Sequence, residues 1–597
     1  MLLMKRIACI LAMALVFLTS ACYAGSQKLY TMRDGVYRRV ESLTRRAGLI
    51  GPSSFAPASA RVLEIALERI DPASLSGSDR SEWAALMDEV SSADVIFSYG
   101  EMGADLSLEG SLQVNAAPYS LFDYTNPDGP GTDMRNEALI PYRYEVPFAR
   151  LGADIYFTKY LMLTGEVFAG NNDHHMYESS LGWLVTSYDG SFRSVFSHSE
   201  EGSDLAFTTV SMEIPRKAGI SAGNDFLSVV AGRFPHSIGS GLTGNLVVGA
   251  NYKYQEIATV SFLNNYFTYN ISVTHFDGEQ NAGPQAFRFS RRKFNGDQQY
   301  RVVHRFDLNF FNRLRLAVDL STLFRSSGSF DLRFFFPMMF NHNLSNFDNE
   351  LTLKDYDEAN NMMALTVEAA LVRGLSASFQ FVLDQAQTPL EESGSVPAAW
   401  GLLANLKWSP QAADGALDFG LEFVYTNPNL YLNGKRDPDT GFVNFNLDYV
   451  NGYYSRYMPD YGYSGYISGP DTMALALTGS YRSGSGMWEL GGIAMYRIHG
   501  SRLIRHTASS IDDTVIDMSD SVISPSDGEG FISGALENAW HRISLMLYSS
   551  VRPVPWMEVG IAVQGAQYFN HPSHGDIFIP QLVLAMKVCA PFSRSEF

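Results

Sequence analysis

Cysteine is nearly missing from this 597-residue chain: there are three, at Cys9, Cys22 and Cys589. The first two fall in an N-terminal stretch that reads as a leader. One thiol would then remain, which excludes an intramolecular disulfide and a cysteine-based zinc site. Charge is also scarce. Asp, Glu, Lys and Arg make up 18% of the residues, against about 25% in ordinary soluble domains. Positive charge is the scarcer sign, with 44 Lys and Arg against 63 Asp and Glu and a net charge of −19. That balance speaks against nucleic acid as a partner, because nucleic acid requires basic patches. Beyond position 24 no apolar run reaches about 18 residues, so no membrane-spanning helix is expected. H-E-x-x-H, P-loop and paired C-x-x-C motifs are absent as well, which removes the usual signatures of zinc-protease, nucleotide-phosphate and zinc-finger chemistry.

What the chain does have begins with a leader. Lys5 and Arg6 precede an apolar stretch from Ile7 to Leu18, and Ala21-Cys22-Tyr23-Ala24 supplies small residues for cleavage. Residues 1–24 therefore read as a signal peptide of an exported protein. The Leu18 to Cys22 spacing sets the leucine one place too far upstream for lipoprotein processing. Residues 25–92 then carry helical periodicity. Val36, Tyr37, Val40 and Leu43 share one face, and Gly48 closes the pattern. A second helix is expected over Ser59–Ile70, stopped by Asp71-Pro72, and a third over Ser78–Val90.

From residue 93 onward the period becomes two. Leu314, Leu316, Val318 and Leu320 alternate with Arg313, Arg315, Ala317 and Asp319. The same alternation recurs around Phe379, Phe419 and Val559, and the last such pattern runs almost to Phe597. A soluble sandwich has the same period. Export, and alternation over about 500 residues without helical breaks, favour a barrel instead. A closed barrel is also the one strand architecture that satisfies every backbone group in lipid. Aromatics at 13%, with 39 Phe and 31 Tyr, are enough for interfacial girdles. The expected fold class is an all-β transmembrane antiparallel barrel of about 16–18 strands over residues 93–597, preceded by a small periplasmic α-helical module. Long polar stretches such as Asn171–Asp204 and Asn427–Gly465 should be extracellular loops, some of them able to act as a plug.

Several segments, in order, resemble the capsule-assembly Wzi family of outer-membrane proteins. They are Ala231-Gly232-Arg233 through Ile238-Gly239-Ser240-Gly241 to Gly244-Asn245-Leu246, then His304-Arg305-Phe306-Asp307-Leu308, then Asp331–His342 and Asn360–Asp384. Ile238 stands where a tryptophan is common. The helical stretch from Tyr37-Arg38 to Pro57 is similar to the region that precedes such barrels. The resemblance implies roughly eighteen strands, a location in the outer membrane, and a lectin-like role in binding or organising surface polysaccharide without enzymatic activity. A diffusion porin is the alternative. The partners that the Wzi-like resemblance implies are outer-membrane lipid, surface polysaccharide and the barrel-assembly machinery, with no cofactor.

Arg233, Gly239, Gly241, Asn245, His304 and Arg305 are the candidate lumen, plug or ligand-contact residues. Tyr453, Tyr454, Arg456, Tyr457 and Asp460 are the candidate loop carbohydrate contacts, because sugars are held by flat aromatic faces and bidentate polar groups. Tyr461, Tyr463 and Tyr466 belong to the same cluster. Gly219-Ile220-Ser221-Ala222-Gly223 matches G-x-S-x-G, but a nucleophile elbow requires a helix after it and a strand-like run follows here. Asp173-His174-His175, His571 with His574, and the acidic stretch Asp512–Asp520 lack the ligand number or spacing of a metal site.

Overall fold

The computed structural model describes residues 27–91 apart from 33, 97–99, 102–116, 149–169, 217–249, 255–276, 298–326, 332–336, 360–385, 399–436 apart from 413, 443–447, 450–454, 459–500, 503–506, 514–517, 532, 539–571 and 575–589, together with short pieces at 177–178, 186–187, 197–199 and 202–206. The proposed signal peptide lies outside these residues. No described helix is long and apolar enough to cross a membrane.

Among the described residues, eighteen long strands close into one antiparallel barrel, and the short strand Phe97–Tyr99 pairs back on the first of them. In chain order they are β1 (Met102–Ala116), β2 (Ala149–Thr158), β3 (Leu161–Ala169), β4 (Lys217–Gly223), β5 (Leu227–Phe234) and β6 (Gln255–Phe262). Next come β7 (Phe267–Phe276), β8 (Gln298–Phe310), β9 (Leu314–Ser326), β10 (Asn360–Val372), β11 (Leu375–Gln385) and β12 (Ala399–Trp408). The last are β13 (Ala416–Thr426), β14 (Thr472–Arg482), β15 (Trp488–His499), β16 (Trp540–Val554), β17 (Met557–His571) and β18 (Gly575–Cys589). Each pairs with its sequence neighbour. β18 returns to β1 with Leu582 opposite Ala116 and Cys589 opposite Glu109. An even count lets the seam close antiparallel, which leaves no open edge in the lipid.

The alternation read from the sequence sets the two faces. On β16, Leu545 and Leu547 are 51% and 57% exposed, while Arg542, at an inward position of the same strand, is 2% exposed. Leucines in contact with the surroundings and an arginine within are the reverse of a soluble core. They are what a lipid-embedded wall requires.

Short turns gather at one end of the barrel. Phe311 and Asn312, both with φ near +55°, turn β8 into β9, and Arg373-Gly374 turns β10 into β11. In outer-membrane barrels this end faces the periplasm.

The helical module docks at that end. Its helices are α1 (Gly35–Arg46), α2 (Ala60–Glu68) and α3 (Gly77–Ser91). They bury Tyr37, Val40, Leu43, Leu63, Leu67, Leu86 and Val90 against one another. α1 ends in a Schellman closure: Gly48 N–H donates to Arg45 O and Leu49 N–H to Thr44 O, both at 2.9 Å. Gly48 has φ +79°, which glycine adopts without strain. The module then grips the turns. Ile50 N–H donates to Asn312 O, Gly374 N–H donates to Arg45 O, and Lys407 Nζ lies 2.7 Å from Glu41. Burial alone would raise the Glu41 pKa, but Lys407 and Arg45 outweigh it and lower it to about 2.

Candidate functional site

The lumen is filled from three directions. The first is the strap that follows α1. Arg315 of β9 donates to the carbonyls of Gly51 and Pro52 and pairs with Glu368 of β10 at 2.6 Å. Ser53 Oγ donates to Asp307 and Ser54 Oγ to Glu368, while Arg305 donates to Ser54 Oγ at 2.9 Å. Arg305 also pairs with Asp307 at 2.8 Å and Asp319 at 3.0 Å, all three side chains fully buried. Arg305 was expected in a lumen network with carboxylates, and it sits in one.

The second is the loop 235–249, which turns inward after β5. Ser237 and Ile238 pair antiparallel with Ala56 and Phe55 of the strap. His236 is buried between them. Its Nδ1 lies 2.5 Å from the Ala56 carbonyl, which can only accept, so Nδ1 carries the proton and Nε2 accepts from Ser272 Oγ at 3.2 Å. Burial, helped by the Arg301 charge, lowers the His236 pKa to about 3. Farther along, Gly241 N–H donates to Asn245 Oδ1 at 2.9 Å. Gly239 has φ +126°, and a Cβ there would collide with the Asn245 side chain. The expected trio Gly239, Gly241 and Asn245 is thus brought together as one tight turn inside the barrel. Its tip is held by Glu422 of β13, which accepts from Leu242 N–H at 2.5 Å, Thr243 N–H at 2.8 Å and Thr243 Oγ1 at 2.5 Å.

The third comes from residues 427–431 and 464–471. Tyr431 Oη donates to Leu246 O at 2.7 Å and accepts from Tyr466 N–H at 2.8 Å. Ile238, Leu246, Val247, Val248, Leu430, Tyr431 and Tyr466 pack on inward residues of the wall such as Val303, Leu403 and Met495. That side of the lumen is a dry core.

Two expected lumen residues lie on the other face. Arg305 points inward, so its neighbour His304 points outward. His304 is buried there beneath the turn Leu332–Phe335, which folds back against the outer wall. Its Nε2 donates to Phe334 O at 2.6 Å and its Nδ1 accepts from Tyr269 Oη at 2.8 Å. Phe334 stacks on Phe324 at 4.1 Å. Arg233 is likewise outward, paired with Glu256 at 2.7 Å, and Glu256 also meets His275 at 3.3 Å. Phe234, one residue on, takes the inward position.

Of the proposed carbohydrate contacts, Tyr453, Tyr454 and Asp460 belong to an antiparallel hairpin in the long connection between β13 and β14. Tyr453 stands opposite Asp460 there. Arg456 and Tyr457 lie outside the described residues, as do Asp173, His174, His175 and His574. Tyr466 leaves the loop cluster entirely and is fully buried in the plug. Ser221 lies within β4, buried, with Gln27 Oε1 3.5 Å from its Oγ, and β5 rather than a helix follows it. Sequence reading did not single out Glu422 or His236 as plug residues. Glu422 could have been found from the inward phase of its strand, whereas nothing local marks His236.

No protein-family model matches the chain, and no curated protein matches it. Among solved structures, Wzi of Escherichia coli, an outer-membrane protein involved in Group 1 capsule assembly and described as a carbohydrate-binding β-barrel, is similar over 96% of this chain and 100% of its own. Sequence identity is 13% and the TM-score 0.54. This chain is an outer-membrane β-barrel. OccD3 (OpdP) of Pseudomonas aeruginosa matches over 82% of this chain and 91% of its own, at 9% identity and TM-score 0.38. The outer-membrane channel DcaP of Acinetobacter baumannii matches over 83% and 99%, at 9% identity and TM-score 0.35. At 13% identity the likeness to Wzi is one of fold, and function has to be argued from the site.

Proposed function

We propose that this barrel binds or organises surface polysaccharide and is not an enzyme. The observation that carries the reading is the folded plug. An apolar core fills the lumen along β8–β15, so a wide diffusion pore has no room on that side, and recognition falls to the extracellular face. Tyr453 and Asp460 are backbone register partners in that face's long β13–β14 connection, and tyrosine and aspartate are residue types that sugar binding uses. The shared architecture with a carbohydrate-binding barrel supports the reading by analogy of fold. Outer-membrane lipid and the barrel-assembly machinery would be its other partners, and no cofactor is required.

The test is calorimetric titration of the purified barrel with surface polysaccharide from its source organism, beside a variant lacking Val450–Tyr463. Binding that weakens at least tenfold in the deletion is expected. Absence of binding by the intact protein, or release of shortened glycan during the titration, would overturn it.

A further inference from the structure

The plug does not fill the barrel from end to end. The wall residues of its dry core, such as Met362 of β10, Val382 of β11, Val424 of β13 and Ala474 of β14, stand in the strand halves remote from the short turns. Below them, on the β11–β16 side, a cavity of about 1110 Å³ remains between the wall and the helical module. Its roof is the tip of the loop 235–249, at Ser240, Gly241 and Leu242. That tip rests on Gly420, where a Cβ would meet Leu242 at 2.6 Å. One flank is α1, with Arg38, Arg39 and Arg45. The mouth lies at the periplasmic end, between the exposed α3 residues Ala85 and Asp88 and the exposed turn residues Gly484, Ser485 and Pro553.

Hydroxyls and an amide line the wall. Ser376 and Ser378 of β11, Asn405 of β12, Thr478 and Ser480 of β14 and Ser550 of β16 are inward positions on this cavity. Ser378 points to a ligand. It is 9% exposed, stands opposite the inward Glu368, and its Oγ has no hydrogen-bond partner among the described residues. Buried polar atoms are almost all hydrogen-bonded, so this one calls for a partner from within the cavity. The charges around it cancel. Among the described residues that line the cavity, six Arg and Lys stand against six Asp and Glu. Several are already paired: Lys407 with Glu41 at 2.7 Å, Arg45 with Asp418 at 3.2 Å and Arg39 with Glu89 at 2.9 Å. A site of balanced charge does not draw in a polyanion or a cation. No group of metal-ligating side chains occurs among the described residues. The wall is a closed sheet, so no strand edge is open for a peptide backbone to join. The molecule that fits is uncharged and dense in groups that both donate and accept, which is the chemistry of sugar hydroxyls. Pockets of about 300–1,000 Å³ hold a drug-sized ligand, so this one has room for a short chain of sugar rings.

We propose that this cavity is a second ligand site of the barrel, binding a short, uncharged oligosaccharide that enters from the periplasm. It lies at the other end of the barrel from the Tyr453–Asp460 hairpin, and its ligand follows from the cavity's own chemistry, so it does not rest on recognition at the extracellular face.

The test is calorimetric titration of the purified full-length barrel with maltohexaose, cellohexaose and mannohexaose, with hexagalacturonate as the charged comparison. The intact barrel is run beside Ser378→Ala, Ser480→Trp and the variant lacking Val450–Tyr463. At least one neutral hexasaccharide should bind the intact barrel, and more tightly than hexagalacturonate does. Ser378→Ala removes one hydrogen bond to the ligand and should weaken that binding about fivefold. Ser480→Trp fills the cavity with a ring and should weaken it roughly tenfold or more. The hairpin deletion should leave it unchanged, which separates failure here from failure of the extracellular reading. No binding of any neutral hexasaccharide, tighter binding of hexagalacturonate, full affinity in either serine variant, or loss of binding in the hairpin deletion would each overturn the proposal. Ser378→Ala removes only a hydroxyl that makes no bond within the described protein, so it tests the site in a barrel that still folds.

Discussion

His236 sits in an environment that opposes its own chemistry. It sits neutral in the joint between strap and loop, with its pKa lowered to about 3 by burial and by Arg301. The unfolded chain binds a proton near the ordinary histidine value of about 6.5 and the folded chain does not. Stability is therefore unaffected by this group above about pH 6.5 and falls as the pH drops from there toward 3, by roughly 1.4 kcal/mol for each pH unit. Urea unfolding from lipid vesicles between pH 7 and pH 4 should show that slope, and His236→Asn should flatten it. The same scale explains two misplaced expectations. Arg233 and His304 are polar residues in strands, and such residues default to the lumen in a barrel. Each instead finds partners on the outer wall, Arg233 in Glu256 and His304 under the Leu332–Phe335 turn. Alternation with Phe234 and Arg305 already implied the outward phase.

At the scale of elements, the strap 51–56 decides whether the module is a cork or an appendage. The module has its own apolar core; it meets the wall through polar contacts and through Leu29, which packs with Tyr156, Met162, Val230, Phe234 and Ile257, and the strap's seat on Arg305 and Arg315 adds a buried ionic attachment. Removing one member of a buried ion network leaves the rest uncompensated. Arg305→Ala strands Asp307 and Asp319 in a dry site and should destabilise the folded barrel by about 3–5 kcal/mol, read as a lower urea midpoint with an unchanged slope. The helices themselves were legible in the sequence to within a few residues. Their apolar faces follow a local 3.6-residue period, and Gly48 and Asp71-Pro72 mark ends by backbone geometry alone.

For the whole molecule, the wall is an inverted protein: apolar residues outside, charge and packing within. Leu545→Arg places a charge in the lipid belt and should cost about 2–4 kcal/mol near mid-depth. Ser544→Arg, one residue away on the lumen face, should cost less than about 1 kcal/mol, because lumen positions keep access to polar partners and water. Equal costs measured by urea unfolding in lipid vesicles would contradict the assignment of faces.

The period-two alternation, the helical module and the absence of an apolar helical span are properties of neighbouring residues, and the sequence alone determined them, together with the barrel class and its approximate strand number. Which loops turn inward was decided only in three dimensions. Leu242 and Thr243 meet Glu422 across 180 and 179 residues, Ser54 meets Arg305 across 251, and Tyr431 meets Leu246 across 185. A loop becomes a plug when its few apolar residues find a wall to pack on, and no local pattern records a partner that distant.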